Sequence, residues 1–333
     1  MNMNSRILLS VLWLAGMFFV GCSPSKSVSK TGDGAIEPVS VQLNWYAEAE
    51  HGGVYQAKVD GRYTDAGFDV EIRPGGRATP VAAEVVMGRA DFAITNADDV
   101  VLFRAAGSDV VALMAAMQDN PRCIMVREDS GATTWEGLKG MTLQRQEGQG
   151  FVEFLRAKGT LAGVQEVPYH GSVSNLVSDP KIAVQAYSFA EPFLAEEAGA
   201  NVRTLMVSDL GWNPYSSVLV TRGELIRTKP ELVAKFVEAT KKGWQKYVTE
   251  PAAGNEAILA ANQHGMTAGA LEFGSTALVE LARPDEMPIE EVGKMTSERW
   301  KSLVDQMVEM KLIKPDTVKF EECFTDQFIS SSP

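Results

Sequence analysis

Hydrophobic and polar positions follow two different periods along most of the chain. Apolar residues at every second position predict β-strands, and an apolar face repeating every three to four residues predicts helices. Strands are predicted at 39–43, 68–72, 91–95, 110–117, 122–126, 141–146, 166–169, 182–187, 202–207 and 216–221. Helices are predicted at 50–60, 79–87, 98–106, 150–158 and 229–248, from 188 onward, and as a turn and helix over 133–140. Strands alternating with helices over this length imply doubly wound parallel sheets.

The alternating elements divide into a long unit and a shorter one. The unit from about 129 to 211 is too short to be half of a simple tandem, so an inserted second lobe fits better. We predict an α/β protein of two lobes, each a doubly wound sheet with flanking helices: residues 38–127 with 213–333, and residues 128–212. Two crossings between the sheets form a hinge, and a cleft lies between the lobes.

The first residues predict export. Arg6 precedes an apolar run that ends near Val20, which is shorter than the roughly 20 residues of a membrane-spanning helix. We interpret residues 1–21 as a signal peptide. Cys22 directly after Gly21 resembles a bacterial lipoprotein box, which implies a lipid on Cys22 and a membrane-anchored periplasmic protein. Export without lipidation, with Cys22 in the discarded peptide, is the alternative. The small polar residues that follow predict a flexible tether over 22–37.

Charge and cysteine content narrow the classes of partner. A net charge of −12 without a long basic cluster argues against nucleic acid and anionic membrane surfaces. Beyond Cys22 only Cys123 and Cys323 remain, as one disulfide bridge or as two free thiols. No His, Cys and Asp residues show metal-ligand spacing, so neither a metal nor a cofactor is expected.

Polar and aromatic residues follow the ends of the predicted strands, where ligands bind in open α/β sheets. Four aromatic rings among them can stack on a flat ligand ring. Four amides can pair with ring nitrogens, and a carboxylate can accept from an exocyclic amine. The candidate ligand-binding residues are Asn44, Trp45, His51, Thr95, Asn96, Gln118, Gly148, Gln149, Tyr187, Glu191, Trp212 and Tyr215.

Each candidate also has an explanation without a ligand. A Trp after a strand can belong to the core, and His51 can be a satisfied histidine at a helix start. Gly148 fits a tight turn, and Glu191 before a proline fits a first helical turn, where a carboxylate meets the helix dipole. Glu48 and Glu50, by contrast, are expected to be solvated.

Several segments resemble the family that includes thiamine-pyrimidine synthases and sulfonate-binding periplasmic proteins. The motifs are Leu43-Asn44-Trp45 with His51 and Tyr55, the stretch Gly61–Val70, Met87–Phe92, Ala190-Glu191-Pro192-Phe193, and Lys229–Val233 continuing to Trp244. Their order and spacing cover most of residues 40–250. The resemblance implies a periplasmic-binding-protein fold of type II.

The resemblance implies one of two activities. One branch of the family comprises binding proteins of ABC importers, and the other is a cytosolic enzyme that builds a pyrimidine from pyridoxal phosphate and its own histidine. The enzyme's lysine and histidine positions correspond here to Thr95 and Asp99, and its Cys-rich loop corresponds to 212–216. Without an amine there is no Schiff base to hold the cofactor. The sequence therefore favours the binding branch.

The expected function is a monomeric substrate-binding lipoprotein that delivers a small molecule to an ABC permease. The expected ligand is an aminopyrimidine precursor of thiamine, with Trp45 stacked on the ring and Asn44, Asn96 and Glu191 at its edge. Sulfonate, nitrate or a flavin-like ring are alternative cargoes. An anion would need a cation in the cleft, and the predicted cleft segments contain none except Arg145. A lipoprotein that senses a ligand for a membrane partner remains a further alternative.

Overall fold

A computed structural model describes residues 36–329. The predicted signal peptide, the lipid attachment at Cys22 and nearly all of the predicted tether lie outside the described residues. Between residues 36 and 329, no helix combines the length and the apolar character needed to cross a bilayer.

Ten strands of the described region form two five-stranded sheets. In the first sheet the order is β2-β1-β3-β10-β4, and in the second it is β7-β6-β8-β5-β9. The strands are β1 (Glu37–Gln42), β2 (Phe68–Arg73), β3 (Phe92–Thr95), β4 (Val110–Met117), β5 (Arg122–Arg127), β6 (Thr142–Arg145), β7 (Gln165–Pro168), β8 (Ile182–Tyr187), β9 (Val202–Met206) and β10 (Ser216–Arg222). The two-sheet α/β architecture confirms the predicted fold class.

Each sheet is mixed, so the expectation of purely parallel sheets is wrong at two strands. β10 is antiparallel to β3 and β4, and β5 is antiparallel to β8 and β9. Both strands are the ones by which the chain arrives from the other sheet. A strand reached by a direct crossing starts at the edge where the previous strand ended, and it therefore runs against the parallel strands.

The first crossing also lies earlier than predicted. β5 pairs within the second sheet, so the chain crosses between Met117 and Arg122 rather than near residue 127. Strand propensity alone could not show the position of this crossing, because the apolar pattern of residues 122–126 is compatible with pairing in either sheet. The return connection runs between Met206 and Ser216, the region predicted for it.

Helices flank both sheets. The predicted helix at 50–60 begins with a 3-10 turn, Ala49–His51, and the predicted helices at 79 and 229 begin at Val81 and Pro230. The α-helices of the described region are α1 (Gly52–Val59), α2 (Arg62–Asp65), α3 (Val81–Val86), α4 (Ala97–Ala105), α5 (Gly150–Ala157), α6 (Ser174–Ser178), α7 (Glu191–Glu197), α8 (Gly223–Thr228), α9 (Pro230–Tyr247), α10 (Ala252–Ala261), α11 (Ala268–Ala282) and α12 (Ser297–Glu309).

Glycines let α1 approach α9 closely. A Cβ at Gly53 would lie 2.1 Å from Cγ of Trp244, and a Cβ at Gly52 would lie 2.1 Å from the ring of Tyr247. On α9, a Cβ at Gly243 would lie 2.2 Å from the carbonyl oxygen of Gly53. Because the 3-10 turn Ala49–His51 leads directly into α1, this packing fixes the segment that carries several candidate residues.

The C-terminal part of the chain covers the edge of the first sheet. The amide of Ala112 in β4 donates to the carbonyl of Cys323, and Thr325 donates back to Ala112. All eight residues of β4 are buried as a result. Cys323 and Cys123 are both buried and unpaired. Of the two alternatives, one disulfide bridge or two free thiols, the structure therefore has the free thiols.

Candidate ligand-binding site

A polar gap lies where strand ends from the two sheets meet. Its cavity volume is only about 10 Å³, close to the smallest space that holds one water molecule. Two aromatic rings, three amides and a tyrosine surround one guanidinium and one carboxyl group. The lining residues are Asn96, Asp98, Asn120, Arg122, Gln149, Phe151, Tyr187 and Trp212. Four of the predicted residues, Asn96, Gln149, Tyr187 and Trp212, are thus brought together here.

The guanidinium of Arg122 occupies the middle of this gap. Its carbon lies 4.0 Å from the ring centroid of Tyr187 and 4.9 Å from that of Phe151. Its Nη2 donates to the Tyr187 hydroxyl at 3.0 Å and approaches Oε1 of Gln149 at 3.5 Å. A flat group that donates N–H bonds and stacks on an aromatic ring therefore fits this space.

One hydrogen bond joins the two lobes across the gap. Nδ2 of Asn96 donates to the Tyr187 hydroxyl at 3.2 Å, and Oδ1 of Asn96 accepts from Ser216 at 2.7 Å. Asn96 belongs to the first lobe and Tyr187 to the second. The Asn96–Tyr187 contact therefore forms only when the lobes are together, whereas the bond from Arg122 to the Tyr187 hydroxyl lies within the second lobe.

His51 holds Asn44 in place rather than facing open space. The His51 side chain is fully buried, and burial lowers its pKa to about 3, which keeps the imidazole neutral. Its Nδ1 accepts from the amide of Glu48 at 3.3 Å, which leaves the proton on Nε2. Nε2 then donates to Oδ1 of Asn44 at 2.9 Å. The orientation of the Asn44 amide is therefore fixed from behind.

Glu191 links the start of α7 to the end of β8. Its Oε2 accepts from the amide of Tyr187 at 2.8 Å, and its Oε1 accepts from the Tyr169 hydroxyl at 3.3 Å. Burial raises the pKa of this carboxyl group, while the Tyr187 amide opposes the rise. Both roles foreseen for Glu191, a first-turn carboxylate and a cleft residue, remain compatible with this position.

Further carboxyl groups lie in the same region. Burial raises the pKa of Glu50 to about 7, and the charge of Arg122 limits that rise. Burial, together with the neighbouring Asp99, raises the pKa of Asp98 to about 7. Burial and the charge of Glu50 raise the pKa of Glu48. The expectation that Glu50 is solvated is wrong, because Glu50 has no exposed surface; Glu48 is half-buried.

Thr95 and Asp99 form a closed pair. The Thr95 hydroxyl donates to Oδ2 of Asp99 at 3.0 Å, and Thr95 is buried. The resemblance implies that the enzyme branch has its lysine and histidine at these two positions, and neither Thr95 nor Asp99 is an amine that could form a Schiff base.

Besides Asn44, His51, Thr95 and Glu191, four further predicted residues do not line the gap. Gln118 donates to the carbonyl of Lys294 at 3.0 Å, so its amide serves the backbone. Tyr215 packs beneath the guanidinium of Arg299 at 3.8 Å. Gly148 occupies an exposed turn with φ of 75°. Trp45 is half-buried beside Tyr46, with 5.2 Å between their rings.

The structure contains a cation that the sequence argument missed. Arg122 is the first residue of β5, and its partner in the antiparallel register is Tyr187, the last residue of β8. The ends of strands alone do not point to Arg122, whereas a crossing at 118–121 would have done so. Among residues 36–329, no group of three His, Cys, Asp or Glu side chains is placed to hold a metal ion.

The two mixed sheets, the antiparallel crossing strands and the gap between them define the periplasmic-binding-protein fold. The aliphatic sulphonate binding protein SsuA of Escherichia coli has the same fold, with a TM-score of 0.65 at 14% identity, over 86% of this chain and 91% of that chain. A family model described as NMT1/THI5 like matches residues 48–254. The chain belongs to this family.

Two relatives with different activities are similar over nearly the whole chain. The formylaminopyrimidine-binding protein of Halalkalibacterium halodurans is 22% identical, over 91% of this chain and 93% of that protein. The 4-amino-5-hydroxymethyl-2-methylpyrimidine phosphate synthase of Legionella pneumophila is 21% identical, over 89% of this chain and 93% of that protein. Both names concern pyrimidines, one a binding protein and one an enzyme.

Proposed function

We propose that this protein binds an aminopyrimidine related to thiamine precursors and delivers it to an ABC importer. The observation that carries the proposal is the inter-lobe gap, in which amides and aromatic rings surround a flat, N–H-donating group. Similarity to a formylaminopyrimidine-binding protein supports the ligand class. The chemistry of the gap suits a planar ring with donors and acceptors on its edge.

The lobes must separate before a ring can bind. A cavity of about 10 Å³ is far smaller than the roughly 300–1,000 Å³ of most ligand pockets, and the Arg122 side chain lies beside it. Hinge opening about the two crossings would admit the ligand, and closure would restore the contact between Asn96 and Tyr187. The closed arrangement would form the surface that a permease recognises.

Arg122 reopens the question of an anionic cargo such as a sulfonate or nitrate. Its guanidinium is a cation in the gap, which the sequence argument did not expect. Glu48, Glu50, Asp98 and Glu191 lie in the same region, however, and burial raises the pKa of each. An anion would add another negative charge to this set, so a neutral or weakly basic ring is favoured.

Pyrimidine synthesis is the alternative function. The pairing of Thr95 with Asp99 leaves no amine where the related enzyme needs one, which supports binding without chemistry. Incubation of the protein with pyridoxal phosphate is expected to give no Schiff-base absorption. Such absorption, or a pyrimidine product, would favour the synthase.

The proposal extends to location and partners. A lipid on Cys22 would anchor a monomeric protein at the periplasmic face of a membrane, beside the permease. Radiolabelled palmitate incorporation that is lost in Cys22→Ser would test the anchor.

Calorimetric titration of the purified, delipidated protein tests the ligand. We expect saturable binding of 4-amino-5-hydroxymethyl-2-methylpyrimidine or its formylamino relative. Sulfonate and nitrate serve as comparison ligands. Absence of heat up to about 1 mM pyrimidine, or tighter binding of an anion, would contradict the proposed ligand.

Tyr187→Phe is expected to weaken ligand binding about tenfold, because it removes the acceptor that Asn96 and Arg122 share. The loss should appear mainly as faster dissociation, measured by stopped-flow fluorescence, since the contact stabilises the closed form. Tyr63→Phe is the matched control: it removes a buried hydroxyl bonded to Thr240 at 2.9 Å, far from the gap, and should leave affinity unchanged. Equal affinities of Tyr187→Phe and wild type would contradict the prediction.

A further inference from the structure

Glu50 is a buried carboxyl group whose hydrogen bonding is incomplete. It has no exposed surface, and within the described part of the chain neither of its oxygens has a donor at good bonding geometry. The side chain of Asn44 is close enough to lower the pKa of Glu50. Nε2 of His51 lies 3.3 Å from Oε1, but its proton is directed to Asn44 at 2.9 Å. Because a buried polar group without partners is costly, a missing donor is expected to arrive with a ligand.

The surroundings of Glu50 come from both lobes. The positive charge of Arg122 and the negative charge of Glu191, both in the second lobe, act on it, although Glu50 itself belongs to the first. Glu50 therefore lies where the lobes meet, next to the gap that Arg122 occupies. The titratable groups that face it are Glu48 and His51 from its own turn, Arg122 from β5, Tyr187 from β8 and Glu191 from α7.

We propose that Glu50 determines ligand specificity by pairing with one edge of the ring, a ring nitrogen beside an exocyclic amine, and that one proton is shared in this pair. The proposal rests on the pyrimidine ligand proposed above. The protonated carboxyl group donates its O–H to the ring nitrogen, and its carbonyl oxygen accepts from the amine. If the proton lies on the ring instead, the carboxylate accepts both bonds. Either form gives two parallel hydrogen bonds.

The shared proton makes binding depend on pH. When it is lost, a carboxylate faces the lone pair of a neutral ring nitrogen, and one of the two bonds becomes a repulsion. Burial holds the pKa of Glu50 at about 7 in the unliganded protein. We therefore expect the affinity to fall about tenfold for each pH unit above the range in which the pair keeps its proton.

Titrations of 4-amino-5-hydroxymethyl-2-methylpyrimidine between about pH 6 and pH 9 test the inference. Wild type should show the fall in affinity. Glu50→Gln should bind across the range without it, because the amide offers an N–H to the ring nitrogen and a carbonyl to the amine at every pH. Glu50→Leu should bind at least about tenfold more weakly at pH 6, since both bonds are lost.

Glu224→Gln is the control, because it makes the same change at a carboxylate whose side chain is 68% exposed, and it should keep the wild-type pH profile. A pH-dependent affinity in Glu50→Gln, or its disappearance in Glu224→Gln instead, would overturn the role of Glu50 while leaving the pyrimidine ligand intact. Failure of wild type to bind the pyrimidine at any pH would overturn both. If Glu50→Leu fails to fold, the Glu50→Gln profile alone decides.

Discussion

Replacing Gly53 with Ala is expected to lower the free energy of unfolding by about 2 kcal/mol. The new Cβ would lie 2.1 Å from Cγ of Trp244, an atom attached directly to the Trp244 Cβ that cannot swing away. Trp244 is 1% exposed and packs edge-on against Tyr247. Overpacking in such a core costs about 1–3 kcal/mol, and this overlap belongs at the upper end. The helix propensity of Ala is better than that of Gly by up to about 1 kcal/mol, which offsets only part of the overpacking cost.

The same substitution should also weaken ligand binding. To relieve the overlap α1 must move away from α9, and the turn Ala49–His51 moves with it. Chemical denaturation measures the loss of stability, and calorimetry measures the loss of ligand affinity. Val59→Ala, at a 48% exposed position of the same helix, should change stability by no more than about 0.5 kcal/mol. A Gly53→Ala midpoint equal to that of wild type would contradict the packing argument.

The sequence was sufficient to predict most of the architecture. Every strand of the structure overlaps a predicted one, because most of them are short apolar runs between turn residues. α2 and α6 were missed because four or five residues are too few to show a helical period, and α8 because it ends directly before α9. α10, α11 and α12 were given no bounds, because the pattern beyond residue 248 is less diagnostic. The direction of β5 was missed for a different reason: apolar periodicity contains no information about the sheet in which a buried strand pairs.

The site could be predicted only in part. Asn96, Gln149 and Tyr187 were found because the carboxyl ends of parallel strands meet at one edge of a sheet. Arg122 was missed because an antiparallel strand brings its first residue to that edge. Glu50 was missed because a Glu-Ala-Glu sequence indicates a solvated turn, and only the packing of Ala49 against α11, where a Cβ at Gly274 would lie 2.9 Å away, buries it.

The unliganded protein is expected to lose stability as pH rises from about 4.5 to 7, in part because of Glu50. Burial raises the pKa of Glu50 from an ordinary 4.5 to about 7. Between these values the folded protein retains a proton that the unfolded chain has released, so the free energy of unfolding falls as pH increases. For a fully buried group this difference amounts to about 3 kcal/mol, present below pH 4.5 and lost above pH 7.

Comparison with Glu50→Gln isolates this contribution from those of the other buried carboxyl groups. The variant should match wild type near pH 4, where Glu50 is neutral, and should be more stable by up to about 3 kcal/mol above pH 7. Glu224→Gln alters a carboxylate whose side chain is 68% exposed and should follow the wild-type curve. Urea denaturation at several pH values measures all three proteins. A stability difference between wild type and Glu50→Gln that does not change with pH would show that Glu50 titrates normally. The carboxyl group of Glu50 would then be in contact with water and not buried between the lobes.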